Sequence, residues 1–178
     1  MPMKIEDYGF LSDLQTCALV GRDGSIDWLC LPRFDSGACF AALLGMPEHG
    51  RWLLAPVSEP VRVTRQYRGD SLILETLFET PEGAVRLIDC MPPRGKFPDV
   101  VRIVEGVRGE VPMRTELVIR FGYGREIPWV QQKDGDLHAI VGPDELVLRS
   151  PITLHGEGLK SCARFSAHAG EQTPFVLT

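Results

Sequence analysis

From about residue 52 onward the chain is a succession of short runs rich in aliphatic and aromatic residues, each cut off by turn formers, with no long helical periodicity between them. Residues 51–57, 61–67, 71–79, 84–91, 100–107 and 113–121 carry such residues at the density of β-strands. Gly69-Asp70, Pro81-Glu82-Gly83, Pro92-Pro93 and Arg108-Gly109-Glu110 punctuate them with the φ preferences that turns require. Further on, residues 129–133 and 137–141 flank Asp134-Gly135, the best short hairpin signal in the chain, and residues 146–148 follow a Gly-Pro-Asp turn.

Connections this short demand antiparallel neighbours. Strands this frequent, without an intervening amphipathic helix, stack as two sheets rather than assembling βαβ units. The expected fold is therefore all-β, a two-sheet antiparallel β-sandwich with one short helix. Alternation in MRTELVIRF puts Leu117, Ile119 and Phe121 on one face and Val118 and Arg120 on the other. With Leu74, Leu87 and Ile103 those three form the expected core. Trp52 and Trp129 are read as core residues as well, while Trp28 is divided between core and surface. The helix is expected over residues 36–44: Asp35 or Ser36 accepts from the first free amides, Phe40, Leu43 and Leu44 form an apolar stripe, and Gly45 closes the end. Arg62, Arg65 and Arg68 read as a solvated edge strand, and residues 150–161 as a loop or irregular edge.

The segment ALVGRDGSIDWLCLPRFDSGACFAALL, residues 18–44, holds the candidate site. It combines a tight Asp23-Gly24 turn and a buried-looking strand with a polar cluster around Trp28. An ordinary strand does not need Asp27, Arg33 and Asp35 threaded between Trp28, Leu29, Leu31 and Phe34. Flat apolar surface beside fixed polar groups suits a carbohydrate, which offers apolar C–H faces and a rim of hydroxyls. Two readings stay open: Asp27, Trp28, Arg33, Phe34 and Asp35 contact substrate or a partner surface, or Asp27 and Asp35 only close turns and cap a helix.

Across 178 residues the formal net charge is −5, which argues against a nucleic-acid partner, whose phosphates call for a basic face. No window approaches the length of a membrane span and the N-terminus lacks a signal-peptide core, so no membrane association and a cytoplasmic location are expected. Cys17, Cys30, Cys39, Cys90 and Cys162 are odd in number and set in apolar surroundings, the pattern of reduced thiols. Neither a CxxC pair nor spaced histidines point to a metal, and GxSxG, GxxxxGK[ST], HExxH and GxGxxG are missing. No cofactor, no metal and no catalytic residue are therefore assigned.

With IEDYGFLSDLQTCALV before the segment and GRWLLAP after it, the chain resembles the start of the bacterial glucoamylase and trehalase-like proteins of glycoside hydrolase family 15. The likeness continues through QYRGDSLILETLFET, GAVRLIDCMPP, VRIVEGVRGEVPMRTELVIRFGYGR and GEQTPFVLT, and so covers nearly the whole chain. Family members commonly read IGD or IGN where this chain has Leu11-Ser12-Asp13. The resemblance implies that residues 1–178 are one N-terminal, supersandwich-like domain. It also implies a parent whose larger C-terminal helical barrel carries the catalytic glutamates and cleaves trehalose or another glucose-containing oligosaccharide with inversion. The expected partner is that barrel, with the segment from Gly24 to Asp35 reaching toward its mouth. A fragment without the barrel is expected to associate with itself through the uncovered patch. The alternative is an independent carbohydrate-binding module.

Overall fold

A computed structural model describes residues 3–178. Its strands are β1 (Tyr8–Ser12), β2 (Cys17–Gly21), β3 (Ser25–Cys30), β4 (Ala38–Phe40), β5 (Arg51–Pro56), β6 (Arg62–Tyr67), β7 (Leu74–Thr80), β8 (Gly83–Cys90), β9 (Val100–Val118), β10 (Trp129–Lys133), β11 (Asp136–Val141), β12 (Asp144–Arg149), β13 (His155–Glu157), β14 (Lys160–His168) and β15 (Gln172–Leu177). All the paired strands run antiparallel and form the expected two-sheet sandwich. The first sheet has the order β1-β2-β3-β5-β9-β14-β13, with β4 on β3; the second has the order β6-β7-β8-β9-β15-β12-β11-β10.

β9 belongs to both sheets. Its first half pairs with β8 and β15, and its second half with β5 and β14. The turn expected at Arg108-Gly109-Glu110 is thus a bend within one long strand. Gly109 sits at φ +68°, and a Cβ on Gly106 would meet the His168 carbonyl at 2.0 Å, so two glycines let the strand cross between sheets without breaking.

The two inner faces enclose a core that includes Leu11, Ile26, Leu54, Phe78, Val104, Met113 and Phe175. Trp52 is fully buried, meets Phe175 edge-on at 6.4 Å, and donates from Nε1 to Thr115 Oγ1 at 3.1 Å. Leu74, Leu87, Leu117 and Ile119 are buried as expected, but Ile103 and Phe121 are only half-buried. Ile103 lies between Ile88 and Pro174 on the outer side of the second sheet, because the pleat turns Arg102 and Val104 inward. Phe121 follows the end of β9. Trp129 is 66% exposed: it pairs with Ile140 on the edge strand β10, whose outer face nothing covers among the described residues.

The helix expected over residues 36–44 does not form. Ala38–Phe40 instead pairs with β3 as the short, fully buried β4, and the Ala41 and Ala42 amides donate to the Gly50 carbonyl. Only a 3-10 turn, Ala42–Leu44, remains. Pairing along a buried strand satisfies the backbone better here than a short helix with a three-residue apolar stripe could. Residues 150–161 likewise contain β13. Of the three arginines on and just after β6, Arg62 and Arg68 are exposed, but Arg65 reaches across to donate to the Asp7 and Val20 carbonyls at 2.6 and 2.8 Å, tying the edge strand to the first sheet.

Candidate functional site

β3 carries a bulge. Leu19 pairs with Trp28 and Val20 with Ile26, so Asp27 is the unopposed extra residue. A bulge of this kind turns two successive side chains toward one face, and Asp27 and Trp28 both leave the core cluster that Ile26 and Leu29 join. Trp28 packs on Cys30, Ala38 and Ala41, a small second cluster outside the main core, and its ring meets Tyr123 at 6.1 Å with the planes inclined by 41°. Tyr123 is presented by the loop after β9 in a left-handed conformation, φ +62°, and its amide donates to the Ala38 carbonyl.

Asp27 is buried, at 8% exposure, with both oxygens engaged: the Tyr8 hydroxyl donates to Oδ2 at 2.8 Å and Ser25 Oγ to Oδ1. Burial pushes its carboxyl above the ordinary carboxylate range; the two hydroxyl donors oppose that, and nearby Asp23 adds to it. Burial, the hydrogen bond to Asp27 and that carboxylate's charge push the Tyr8 phenol far above its ordinary value. Of the two readings left open for Asp27, contact with a substrate or partner surface is disfavoured by this enclosure. Its position is set by the bulge, and neighbouring hydroxyls close over it.

Arg33, Phe34 and Asp35 stand apart from this cluster on the loop between β3 and β4, and all three are exposed. Arg33 donates to Asp35 from Nε at 3.0 Å and from Nη2 at 2.7 Å. Asp35 caps no helix, and Ser36 Oγ accepts from the Arg33 amide at 3.1 Å. The loop is fastened at both ends. The Phe34 amide donates to the Gln15 carbonyl, and the Tyr123 hydroxyl to the Ser36 carbonyl at 3.4 Å, so Trp28 and the loop meet through Tyr123. Phe34 at 54% exposure joins Leu14 at 85%, on the turn that Gln15 belongs to, as exposed apolar surface beside the Arg33–Asp35 pair. That turn is held by Asp13, whose Oδ1 accepts from the Gln15 and Thr16 amides and whose Oδ2 accepts from Arg94 Nε at 2.7 Å. Burial acts to raise the Asp13 carboxyl, but the two amides and Arg94 outweigh it and hold the group below its ordinary value.

Tyr8 and Tyr123 escaped sequence reasoning because a bulge and a left-handed residue, not any motif, bring them to Asp27 and Trp28. Also missed was a charged network on the first sheet, where Glu116 receives Arg51 Nη2 and Lys160 Nζ at 2.7 Å each. Burial opposes ionisation of Glu116, yet Lys160 and Arg51 together keep its carboxyl below the usual range.

Chemically, this surface can bind and orient. Glycoside hydrolysis needs one carboxyl to protonate the leaving oxygen and a second to activate water or attack. Asp27 is enclosed, Asp35 is neutralised by Arg33, and Glu116 is shared by two cations. None stands free beside another at a cleft. The five cysteines are free thiols, all pushed up by burial, and among the described residues no group of three His, Cys, Asp or Glu could hold a metal ion. No helix among them is long and apolar enough to cross a membrane.

The family described as "Trehalase-like, N-terminal" matches residues 1–178. Among curated proteins, the chain is 42% identical over 87 residues to a trehalase of Mycolicibacterium smegmatis, covering 49% of this chain and 13% of that protein. It is 34% identical over 126 residues to trehalase 1 of Sulfolobus acidocaldarius, covering 71% and 21%, and 32% identical over 144 residues to a trehalase of Thermoplasma volcanium, covering 78% and 23%. The chain thus spans less than a quarter of the length of these relatives.

Proposed function

The chain belongs to the trehalase-like, N-terminal family, and from that premise we propose that it is the non-catalytic β-sandwich of an inverting α-glucosidic-bond hydrolase acting on trehalose. The observation that carries this reading is the surface joining Trp28, Tyr123 and the Arg33–Asp35 loop: polar groups locked in place and apolar side chains left uncovered. The sandwich packs on the catalytic domain, and the segment from Gly24 to Asp35 borders the mouth of its active site. The locked side chains there enter the complex at little entropic cost, which favours orientation over chemistry. Glucose-containing oligosaccharides are the second substrate class for such a parent, as in glucoamylases. The location is cytoplasmic.

An independent carbohydrate-binding module is less well supported. Such modules stack sugars on exposed coplanar rings, whereas Trp28 and Tyr123 are inclined by 41° and Trp28 is half-buried. The test joins residues 1–178 to the C-terminal remainder of the M. smegmatis relative, in place of that protein's own first domain. The chimera should release glucose from trehalose and the 178-residue chain alone should not. Turnover by the chain alone, abolished by Asp27→Asn or Asp35→Asn, would end the non-catalytic reading.

A further inference from the structure

On the open side of the sandwich, between the β10–β11 edge of the second sheet and β13–β14 of the first, lies a cleft of about 500 Å³. Aliphatic side chains, among them Leu117, Ile119, Val130 and Leu159, share its lining with Gln132, His155 and Lys160. Arg120 lines it too, and its burial is unusual. The residue is 6% exposed, yet its guanidinium has only carbonyl partners: Nη1 donates to Ile119 O at 2.6 Å and Nη2 to Leu159 O at 3.0 Å. Among the described residues no carboxylate pairs with it, and burial pushes its pKa down, with Glu48 a weaker opposing influence.

Most sheltered arginines elsewhere in this molecule are treated differently, Arg65 with its two carbonyl partners excepted. Arg102 holds Asp89, Arg94 holds Asp13 and Arg51 holds Glu116. Arginines are almost never fully buried unless paired, because an uncompensated charge away from water costs several kcal/mol. Two carbonyls engage part of a guanidinium that has five N–H groups. Arg120 lines a cleft of a size suited to small molecules, and Lys160, held by Glu116, lines it as well.

We propose that this cleft binds an amphipathic anion, an aliphatic chain headed by a carboxylate or phosphate monoester, with the headgroup on Arg120 and the chain between the two sheet edges. The headgroup supplies the missing counter-charge and the chain buries against the leucine and isoleucine walls. Each half of the ligand answers one half of the site. Acetate or inorganic phosphate alone lacks the apolar contribution, and an alcohol of equal chain length lacks the charge.

The test is titration of the isotope-labelled 178-residue chain with octanoate, octyl phosphate, octanol, acetate and inorganic phosphate, followed by amide chemical shifts. Octanoate or octyl phosphate should move the amides around Ile119–Phe121, Val130–Gln132 and Leu159–Ser161, and bind at least about tenfold tighter than octanol or the short anions, a difference of about 1.4 kcal/mol. Which of the two binds better identifies the headgroup. Arg120→Gln should reduce that preference over octanol to about nothing. Because Arg120 also holds two backbone carbonyls, Val130→Trp serves as a second variant; it fills the cleft from an exposed edge position and should abolish binding without touching the guanidinium. Absence of shifts with both amphiphiles, octanol binding as tightly as octanoate, or full affinity in Val130→Trp would each overturn the proposal.

Discussion

Asp89 and Arg102 form a two-point ion pair in the middle of the sandwich, Nε to Oδ1 at 2.8 Å and Nη2 to Oδ2 at 3.2 Å, with both side chains wholly removed from solvent. Arg102 also donates to Trp52 O at 2.8 Å and Gly24 O at 2.7 Å, and its guanidinium lies 5.1 Å from the centre of the Trp52 ring. Asp89 and Arg102 belong to the second sheet; Trp52 and the Gly24 turn belong to the first. One side chain therefore joins both sheets to the turn that opens β3, the strand that carries Asp27 and Trp28.

Removing half of that pair should be severe. Arg102→Met leaves Asp89 buried without a counter-charge and two carbonyls without donors, and is expected to cost about 3–5 kcal/mol. Urea unfolding should show the midpoint falling with little change in slope. A loss below about 1 kcal/mol would show that water or a rearranged neighbour takes over the role.

Gly24 is the second half of the same joint. It lies at φ +84°, and a Cβ there would stand 2.3 Å from the Leu54 carbonyl. Gly24→Ala should destabilise the chain by about 1–3 kcal/mol through backbone strain and displacement of β5. If the turn moves, the Arg102 bond to the Gly24 carbonyl is lost as well, so Gly24→Ala and Arg102→Met should be less than additive. A double-mutant cycle measures this directly.

Two buried aspartates should tilt the pH dependence in opposite senses. Asp13 has a folded value below the ordinary 3.8, so its contribution is complete above 3.8 and is lost as pH falls through the folded value. The advantage of wild type over Asp13→Asn should therefore shrink only on the acid side. Asp27 has a folded value raised by burial, so the native state keeps its proton longer than the unfolded chain. Its contribution is greatest below 3.8 and declines as pH climbs through the folded value. Wild type should accordingly lose ground to Asp27→Asn as pH rises through that window. Chemical denaturation at a series of pH values separates the two, because their windows lie on opposite sides of 3.8.

The strand pattern was legible in the sequence, since turn formers at regular intervals leave few other folds, and the Asp134-Gly135 hairpin forms as read, with φ of +53° and +91°. The core was legible only where alternation points inward. Leu87 and Ile103 look alike in sequence, yet Leu87 is buried and Ile103 lies on the outer face because Arg102 takes the inward position beside it. Leu87→Ala should cost about 2–5 kcal/mol and Ile103→Ala about 1 kcal/mol or less by denaturant titration. The site was legible in part. Trp28 meets the loop of Arg33, Phe34 and Asp35 only through Tyr123, and a bulge on β3 and an ion pair within the loop cannot be read from residue types, so Asp27 looked available and Asp35 looked like a helix cap.

The Arg33–Asp35 pair gives the sharpest test of the proposed docking surface. Both side chains are well exposed and the loop backbone is held by other bonds, from Phe34 to Gln15 and from Tyr123 to Ser36. Arg33→Ala should therefore leave the melting temperature of the 178-residue chain unchanged within error, since exposed ion pairs contribute little. In the chimera with a trehalase catalytic domain, the same substitution frees Asp35 at the face proposed to border the active-site mouth. It should lower kcat/KM for trehalose by about tenfold, about 1.4 kcal/mol of transition-state stabilisation. Arg33→Lys, which keeps the charge but not the planar two-point geometry, should recover only part of that loss. If Arg33→Ala instead unfolds the chain and leaves the folded chimera's kinetics unchanged, the loop is a structural turn and the partner surface lies elsewhere on the sandwich.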